Sequence, residues 1–232
     1  MAEVAGDPRP GKVGFIHTTP STIGMVEGYM KECLPGTEYV HLYDGNVKID
    51  NFRSPIGQTP KRNLLRFAVF ADQLEQSGCD LIVSCCSLMP RATAFAAQAV
   101  SVPFIQLDAV ILDRAAAQFR RIGVINTTPY TVPYVEEALR ERAARLGKQL
   151  QLEFSDTESA LELFNAGKFE EHDRVVLRDV LRLAGQGVDC VLMGQIPFGL
   201  MDQKLQGLGL RVPVLYAGRE AFERVRDLLG KR

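Results

Sequence analysis

Short runs of apolar, β-branched residues alternate along this chain with longer segments in which apolar residues recur at helical spacing. Eight runs predict strands, over 13–16, 39–43, 81–84, 104–107, 122–125, 150–154, 190–193 and 214–216. Within most runs the apolar residues are continuous, as in strands that are covered on both faces of a sheet. Strands that alternate with helices in this way are typical of βαβ units. The pattern therefore predicts an α/β protein with mostly parallel sheets.

Helical spacing is clearest over 59–77 and 132–146. A glycine follows each segment, at Gly78 and Gly147. A glycine just past a helix can take the left-handed conformation without a steric penalty. These two segments are therefore predicted to be helices that end at their glycines.

Three stretches fall outside this periodic pattern. The segment 44–60 shows no clear periodicity and is long for a connection between a strand and a helix, so it is predicted to be a loop. Such a loop is either a lid over a site or a surface connection without a role. Ser155 and Glu158 have the spacing of a capping box at a helix start. Residues 1–11 are predicted to form a disordered tail.

A long-range repeat decides the domain organisation. The segment K-V-G-F-I-H-T-T-P-S-T, which begins at Lys12, returns as R-I-G-V-I-N-T-T-P-Y-T at Arg121, 109 positions later. Asp80 and Asp189, each at the start of an apolar run, are separated by the same distance. A third pair, V-P-F-I and V-P-V-L, is out of register by one position. Matches in register over this distance indicate a duplicated structural unit.

The duplication predicts two pseudo-symmetric lobes. The N-terminal lobe is expected over 12–111 and the C-terminal lobe over 112–232, and the last helix is able to pack on the first lobe. Each lobe is expected to contain a four-stranded parallel sheet with helices on both faces. In such sheets ligands bind beyond the carboxyl ends of the strands, so the active site is expected between the two lobes.

Composition and charge narrow the partners and the compartment. The chain has 27 basic and 28 acidic residues, which leaves no excess positive charge for binding nucleic acid or an anionic membrane surface. No stretch approaches the roughly 18 apolar residues that a membrane-spanning helix needs, and the N-terminus does not resemble a signal peptide. We therefore expect a cytoplasmic protein that acts on a small molecule. A homo-oligomer, a dimer or higher, is a separate expectation that the composition does not decide.

Cysteine and histidine usage argues against disulfides and metal binding. The chain has five cysteines, an odd number, and four of them lie in or beside strand-like apolar runs, which favours reduced thiols. The sequence has no C-x-x-C pair and only three histidines, so the usual ligand set for zinc is missing. A metal site is therefore not expected.

Four predicted loops follow strands at the carboxyl edges of the sheets, where backbone N–H groups are available to anions. They span 17–22, 85–88, 126–131 and 194–197. These loops carry many hydroxyl groups and few formal charges, which suits a small carboxylate ligand. The threonines of the two T-T-P-x-T loops are equally well explained as helix caps, because Thr before Pro is a common helix start. Tyr130, which stands where the first copy has Ser21, is either a half-buried aromatic or a phenol directed at the cleft.

Cys86 is the strongest candidate for chemistry in these loops. A thiol at the end of a buried strand and before a helix has its thiolate favoured by the helix dipole and by nearby amides. Free cysteine is also among the most buried residue types, and packing alone accounts for Cys33, Cys79 and Cys190. Cys85 adjoins Cys86, and the alternation of a strand directs the two side chains to opposite sides.

With this repeat and this thiol, nearly the whole chain from Lys12 onward resembles the aspartate/glutamate racemase superfamily, which includes hydantoin racemase, maleate isomerase and arylmalonate decarboxylase. In that family an Asp, an apolar strand and a Cys six residues after the Asp recur once per half. Asp80 plus six residues selects Cys86 here. The T-P-Y that ends at Tyr130 is similar to a loop of maleate isomerase and arylmalonate decarboxylase whose tyrosine helps to hold the substrate carboxylate. The resemblance implies flavodoxin-like lobes and proton transfer next to a carboxylate, without a cofactor.

The second half departs from the family pattern. Asp189 plus six residues gives Gln195, where the family has its second cysteine. A glutamine amide does not ionise near neutral pH and cannot serve as the second acid/base of a two-thiol racemase. Pro197 removes a backbone N–H, and Ser87 and Leu88 stand where the family has Asn and Thr. The sequence therefore predicts a one-thiol variant.

Three functions are compatible with this pattern. The leading hypothesis is an isomerase or lyase that donates or abstracts a proton next to a carboxylate through Cys86. The first alternative is a true amino-acid racemase in which His17 or another residue replaces the missing thiol. The second alternative is a catalytically inactive protein that still binds carboxylates. Substrate contacts besides Cys86 are predicted for His17, Thr18, Thr19, Ser87, Leu88, Thr128, Tyr130, Gln195 and Ile196.

Overall fold

Two four-stranded parallel sheets form the framework of the chain, in a computed structural model that describes residues 11–155 and 159–230. The first half carries β1 (Lys12–His17), β2 (Glu38–Tyr43), β3 (Leu81–Ser84) and β4 (Phe104–Gln106), in the order β2-β1-β3-β4. The second half carries β5 (Arg121–Ile125), β6 (Gln151–Phe154), β7 (Cys190–Met193) and β8 (Val214–Leu215), in the order β6-β5-β7-β8. All eight predicted strands are confirmed, with ends that shift by at most one residue. The two sheets have the same topology, as a duplication requires.

Helices surround both sheets. They are α1 (Ser21–Cys33), α2 (Gly45–Phe52), α3 (Lys61–Gln76), α4 (Pro90–Ala96), α5 (Ala109–Gln118), α6 (Val132–Arg145), α7 (Ser159–Asn165), α8 (Phe169–Gly185), α9 (Asp202–Gln206) and α10 (Arg219–Leu229), with a 3-10 helix over Ile196–Met201. The two helices predicted from periodicity are confirmed as α3 and α6. Gly78 and Gly147 follow them with φ of +83° and +65°, so each glycine is needed for the left-handed turn that ends its helix.

The segment 44–60 contains a helix, and this corrects the prediction of a loop. Asp44 caps α2 by accepting a hydrogen bond from the backbone N–H of Asn46 at 2.8 Å. The side chain of Asn63 in α3 donates a hydrogen bond to the carbonyl of Val47 at 2.9 Å and holds α2 against α3. Two helical turns with few buried apolar side chains are too short to give a readable period, so the sequence pattern missed this helix.

Two other expectations fall on segments that the structure does not describe. The predicted capping box needs Glu158, which lies outside the described residues. Residues 1–10 of the predicted tail lie outside them as well. Among the residues that the structure does describe, no helix combines the length and apolar character needed to cross a membrane.

The two halves share an apolar core. One cluster of buried side chains contains Val26 and Ile111 from the first half together with Leu139 and Phe222 from the second. Phe222 of α10 is fully buried, and its ring stacks on that of Tyr29 in α1 at 4.9 Å between centroids. Burying a phenylalanine stabilises a fold by about 1.5–3 kcal/mol. The last helix therefore fixes the second half against the first.

The aspartate that recurs in the repeat has a structural role. Asp80 accepts a hydrogen bond from the backbone N–H of Lys12 at 2.9 Å, at the start of β1. Asp189 accepts in the same way from Arg121 at 2.8 Å, at the start of β5, and from Arg120 at 2.9 Å. These backbone donors hold the pKa of Asp189 below its usual range. Both aspartates therefore anchor the amino ends of strands, away from the carboxyl edge where a ligand is expected.

Candidate active site between the two halves

A crevice lies where the carboxyl edges of the two sheets face each other. The first half lines it with Thr18, Thr19, Lys48, Phe52 and residues 85–88. The second half lines it with Thr127, Thr128, Thr131, Leu161, Phe164, His172, Gln195, Pro197 and Phe198. The cavity volume is about 70 Å³, which is space for on the order of five water molecules. The crevice is therefore sized for a small molecule.

An outer groove of about 490 Å³ gives access to this crevice. It shares five lining residues with the crevice, which are Thr18, Thr19, Lys48, Phe52 and Phe164. The groove therefore provides an entry route from solvent to the buried end of the crevice.

Cys86 lies at the end of β3, where its Sγ accepts a hydrogen bond from Thr18 Oγ1 at 2.8 Å. Only 6% of the residue is exposed, and it packs in the apolar cluster on the α3 side of the first sheet. Cys85 packs in the other cluster, so the neighbouring cysteines are directed to opposite faces of the sheet, as the strand alternation predicted. Thr18 follows β1, and the pairing of β1 with β3 brings the hydroxyl and the thiol together.

The surroundings of the Cys86 thiol act on its pKa in opposite directions. Burial raises the pKa above its ordinary value and is the largest influence, whereas the Thr18 hydroxyl, the backbone N–H of Leu88 and the Lys48 ammonium lower it. Asp108 adds a smaller contribution that raises it. The net shift is upward, so the thiol holds its proton near neutral pH. The three groups that lower the pKa are in place to stabilise a thiolate when one forms.

Gln195 occupies the corresponding position in the second half. Its Oε1 accepts hydrogen bonds from the Thr127 hydroxyl at 2.9 Å and from the Thr127 backbone N–H at 2.6 Å. Thr18 and Cys86 are 68 positions apart, as are Thr127 and Gln195. In each half, therefore, a threonine bonds to the residue that stands six positions after the repeated aspartate. With its carbonyl oxygen engaged by Thr127, the Gln195 amide can offer only Nε2, a donor, to a ligand.

Lys48 gives the crevice a positive charge that the sequence did not predict. It is the only lysine or arginine among the lining residues of the described chain, and no aspartate or glutamate lines the crevice there. Burial lowers the pKa of the ammonium, while the nearby Cys86 raises it. A half-buried cation without a lining carboxylate favours an anionic ligand. Lys48 escaped notice because α2, which carries it, was predicted to be a loop.

His172 of α8 also lines the crevice, although no motif in the sequence predicted it there. Its Nδ1 lies 2.7 Å from Oδ1 of Asp173. The residue falls on the buried face of the helix together with Val176 and Val180. The helical periodicity could have pointed to His172, because it places a histidine on the mostly apolar, buried face of a helix.

Most of the predicted contact residues do lie together in the crevice. Besides Cys86 they are Thr18, Thr19, Ser87, Leu88, Thr128 and Gln195. The last threonines of the two repeated loops bond to the backbone of their own loops and do not cap a helix, since neither α1 nor α6 has a side-chain cap hydrogen bond at its start. Thr22 donates to the Thr19 carbonyl at 2.7 Å, and Thr131 donates to the Thr128 carbonyl at 3.0 Å. The helix-cap interpretation of these threonines is therefore wrong, and their hydroxyl groups close the turn of each loop instead.

His17, which the sequence predicted at the site, is not among the lining residues. It is fully buried, with Nδ1 at 2.7 Å from Thr22 Oγ1 and Nε2 at 2.8 Å from Nδ1 of His41. Burial and the neighbouring His41 lower the pKa of His17 to about 3. Since Thr22 uses its proton on the Thr19 carbonyl, its oxygen accepts from His17 Nδ1. His17 is therefore a neutral structural group at the end of β1.

Tyr130 and Ile196 also differ from the prediction. Tyr130 donates its hydroxyl to the carbonyl of Phe52 at 2.8 Å, and the two rings lie 4.8 Å apart. This contact crosses from the second half to the end of α2 and fixes the helix that carries Lys48. Ile196 is fully buried in the shared apolar core. Neither side chain lines the crevice.

Comparison with known proteins identifies relatives of this chain. A family model described as Asp/Glu/Hydantoin racemase matches residues 13–225. Comparison with curated protein sequences gives no match. Among solved structures, glutamate racemase from Bacillus anthracis is similar with a TM-score of 0.68 and 20% identity, over 95% of this chain and 82% of that chain. Picrophilus torridus aspartate racemase has a TM-score of 0.68 and 15% identity, over 96% and 95%.

A mutant of arylmalonate decarboxylase is similar as well, with a TM-score of 0.55 and 15% identity, over 94% of this chain and 93% of that chain. At these identities the structural similarities establish the fold, with its two parallel sheets. The relatives include both racemases and a decarboxylase.

Proposed function

The chain belongs to the Asp/Glu/hydantoin racemase family of enzymes, and from this we propose that it transfers a proton at the carbon next to a carboxylate of a small acid. Cys86 Sγ is the proton donor or acceptor, and no cofactor takes part. The observation that carries the proposal is that the Cys86 thiol lies in a small crevice and accepts a hydrogen bond from Thr18. Among the described residues, no carboxylate lines this crevice.

The substrate carboxylate is held by the donors of the crevice. Lys48 supplies the charge, and Gln195 supplies Nε2, since its Oε1 is already bonded to Thr127. When the neighbouring carbon loses its proton, negative charge moves onto the carboxylate oxygens. Fixed donors in a site that excludes most water stabilise this charge strongly. The hydroxyl groups of Ser87 and Thr128 are further donors in the same crevice.

The protonation state of Cys86 decides whether it donates or abstracts a proton. With its pKa raised by burial, the resting thiol holds a proton and is ready to donate it to a carbanion or an enediolate. Abstraction needs the thiolate, which Thr18 and Lys48 favour once it forms. General acid–base groups of this kind accelerate proton transfer by about 10²–10⁴-fold. The proposal therefore covers isomerisation and protonation after decarboxylation.

Two alternatives are separated by experiment. Racemisation of an amino acid needs a second acid/base opposite Cys86, and Gln195 does not provide one. A binding protein without catalysis would hold carboxylates but leave the thiol without a chemical role.

The first test is a screen of small acids, with both enantiomers of aspartate and glutamate, maleate and methylmalonate as probes. Aspartate and glutamate are included because racemases of these names share the fold. A bound acid should raise the melting temperature and should slow alkylation of Cys86 by iodoacetamide. Cys86→Ser should lose turnover of the active probe by at least about 100-fold, while Cys79→Ser, outside the crevice, should retain it. Full turnover by Cys86→Ser, or alkylation that no probe slows, would remove the proposal.

A further inference from the structure

The crevice contains an imidazole that comes from the other half of the chain than the thiol. We infer that His172 is the second acid/base of this site and acts on the substrate face that Cys86 does not reach. The inference rests on the proposed function of Cys86 and extends it from proton transfer on one face to inversion at the carbon next to the carboxylate. Gln195 occupies the sequence position of the second thiol, but the chemistry is assigned to a different element, α8.

His172 is held in one orientation by an acidic neighbour. Its Nδ1 lies 2.7 Å from Asp173 Oδ1, and Asp173 Oδ2 accepts from the Lys204 ammonium at 2.7 Å. A carboxylate accepts hydrogen bonds and donates none, so the ring carries its proton on Nδ1. The lone pair of a neutral ring is then on Nε2. A base oriented by a carboxylate on its other nitrogen is a recurring catalytic arrangement.

Aromatic side chains complete the setting of this ring. Phe164 lies edge-on at 5.3 Å between centroids, and Phe198 stacks at 6.4 Å. Both aromatic residues line the crevice with His172. Nε2 makes no hydrogen bond to any residue in the described part of the chain. His172 is only 6% exposed, so the crevice is the space that this nitrogen can address.

Cys86 and His172 approach the crevice from different halves. Cys86 follows β3 of the first sheet, whereas His172 is in the first turn of α8 in the second half. Both line the same cavity, and the inference requires one bound acid to lie between them. The remaining histidines are placed elsewhere, since His17 and His41 bond to each other outside the crevice.

The proposed step balances without a co-reactant. His172 Nε2 takes the proton from one face of the carbon, and the electron pair of the C–H bond remains as an enediolate with the carboxylate. The Cys86 S–H bond then breaks towards the opposite face, and its electron pair stays on sulfur. The product is the other enantiomer, with a thiolate and an imidazolium. The reverse reaction starts from that thiolate–imidazolium form, which holds the same number of protons as the thiol–imidazole form.

The test follows each enantiomer of aspartate and of glutamate separately in heavy water. Chiral chromatography measures inversion, and proton NMR measures deuterium at the α-carbon. His172→Asn should lower inversion in both directions by at least about 100-fold, while the enantiomer whose α-proton faces Cys86 still exchanges. Cys86→Ser should give the reciprocal pattern, with exchange confined to the other enantiomer.

Two controls separate catalysis from folding. His41→Gln changes a histidine outside the crevice and should keep inversion at the wild-type rate. Protection of Cys86 from iodoacetamide by the active amino acid should persist in His172→Asn, which shows that the crevice is intact. Asp173→Asn should lower kcat with little change in KM, because it loosens the orientation of the ring and removes no substrate contact.

Several outcomes would overturn the inference. Inversion by His172→Asn at the wild-type rate would do so, as would wild-type exchange confined to a single enantiomer without inversion; both leave the role of Cys86 untouched. If the wild-type protein neither exchanges any of the four amino acids nor is protected by them, the proposed function fails for these substrates and the inference fails with it.

Discussion

Replacing Thr18 by valine changes the Cys86 thiolate without removing the thiol. Valine has nearly the shape of threonine, but it lacks the hydroxyl that donates to Sγ at 2.8 Å. The substitution therefore isolates one contribution to the pKa of Cys86.

The size of the effect follows from the hydrogen bond. A hydrogen bond to a charged group contributes about 1.5–3 kcal/mol, against about 0.5–1.5 kcal/mol for a neutral one. The hydroxyl therefore favours the thiolate over the thiol by about 1–2 kcal/mol, which corresponds to roughly one unit of pKa. At a pH below the thiol pKa, the thiolate fraction and the alkylation rate should each fall by about tenfold.

The assay is the rate of iodoacetamide alkylation of Cys86 as a function of pH, read by mass spectrometry of the peptide. Cys85→Ala serves as the background, so that the adjacent thiol does not contribute. Thr19→Val is the matched control, because Thr19 also lines the crevice and makes no side-chain bond to Cys86 among the described contacts. Thr19→Val should leave the pKa of Cys86 at the parent value. If Thr18→Val also left it there, the assigned role of the Thr18 hydroxyl would be refuted.

Three further predictions concern buried groups elsewhere in the fold. Burial raises the pKa of Asp108 from 3.8 to about 6, so its carboxyl contributes stability that is present below pH 3.8 and is lost as the pH rises through about 6, about 3 kcal/mol in total. Asp108→Asn should raise the free energy of unfolding in urea at pH 8 but not at pH 4, and an equal change at both would contradict this. Burial and His41 lower the pKa of His17 from 6.5 to about 3, so its contribution is present above pH 6.5 and is lost as the pH falls towards 3. His17→Gln should flatten the decline of the melting temperature over that range, and parallel profiles would count against it. Phe222→Ala should lower the free energy of unfolding by about 3–5 kcal/mol, since the fully buried ring joins the halves; a change near zero in urea titrations would show that α10 does not hold them together.

The duplicated register carried most of what the sequence could predict. Because two copies of one unit fold alike, the spacing of 109 positions predicted two equivalent sheets and the loops that face each other. The same spacing implies the equivalence of Cys86 with Gln195, and the structure extends it to the threonines that bond to them. Hydrophobic periodicity sufficed for strands and for long helices because their buried faces are extensive.

The rest of the site depends on features that no local pattern records. Lys48 reaches the crevice from a two-turn helix that is too short for its periodicity to be recognised in the sequence. His172 comes from a helix face whose pattern resembles that of an ordinary core helix. His17 sits at the right end of the right strand, yet its side chain bonds to Thr22 and His41 and not to a ligand. The direction of a side chain at a strand end is decided by its packing partners, which are distant in sequence.

Whether Cys86 transfers the proton is tested most directly by enantiomer-resolved deuterium exchange at the α-carbon, measured side by side in the wild-type protein and in Cys86→Ala with aspartate and glutamate. The role assigned to Cys86 predicts exchange by the wild-type protein, and a loss of at least about 100-fold in the exchange rate of at least one enantiomer in the variant. Exchange of every enantiomer at equal rates in the two proteins would contradict it.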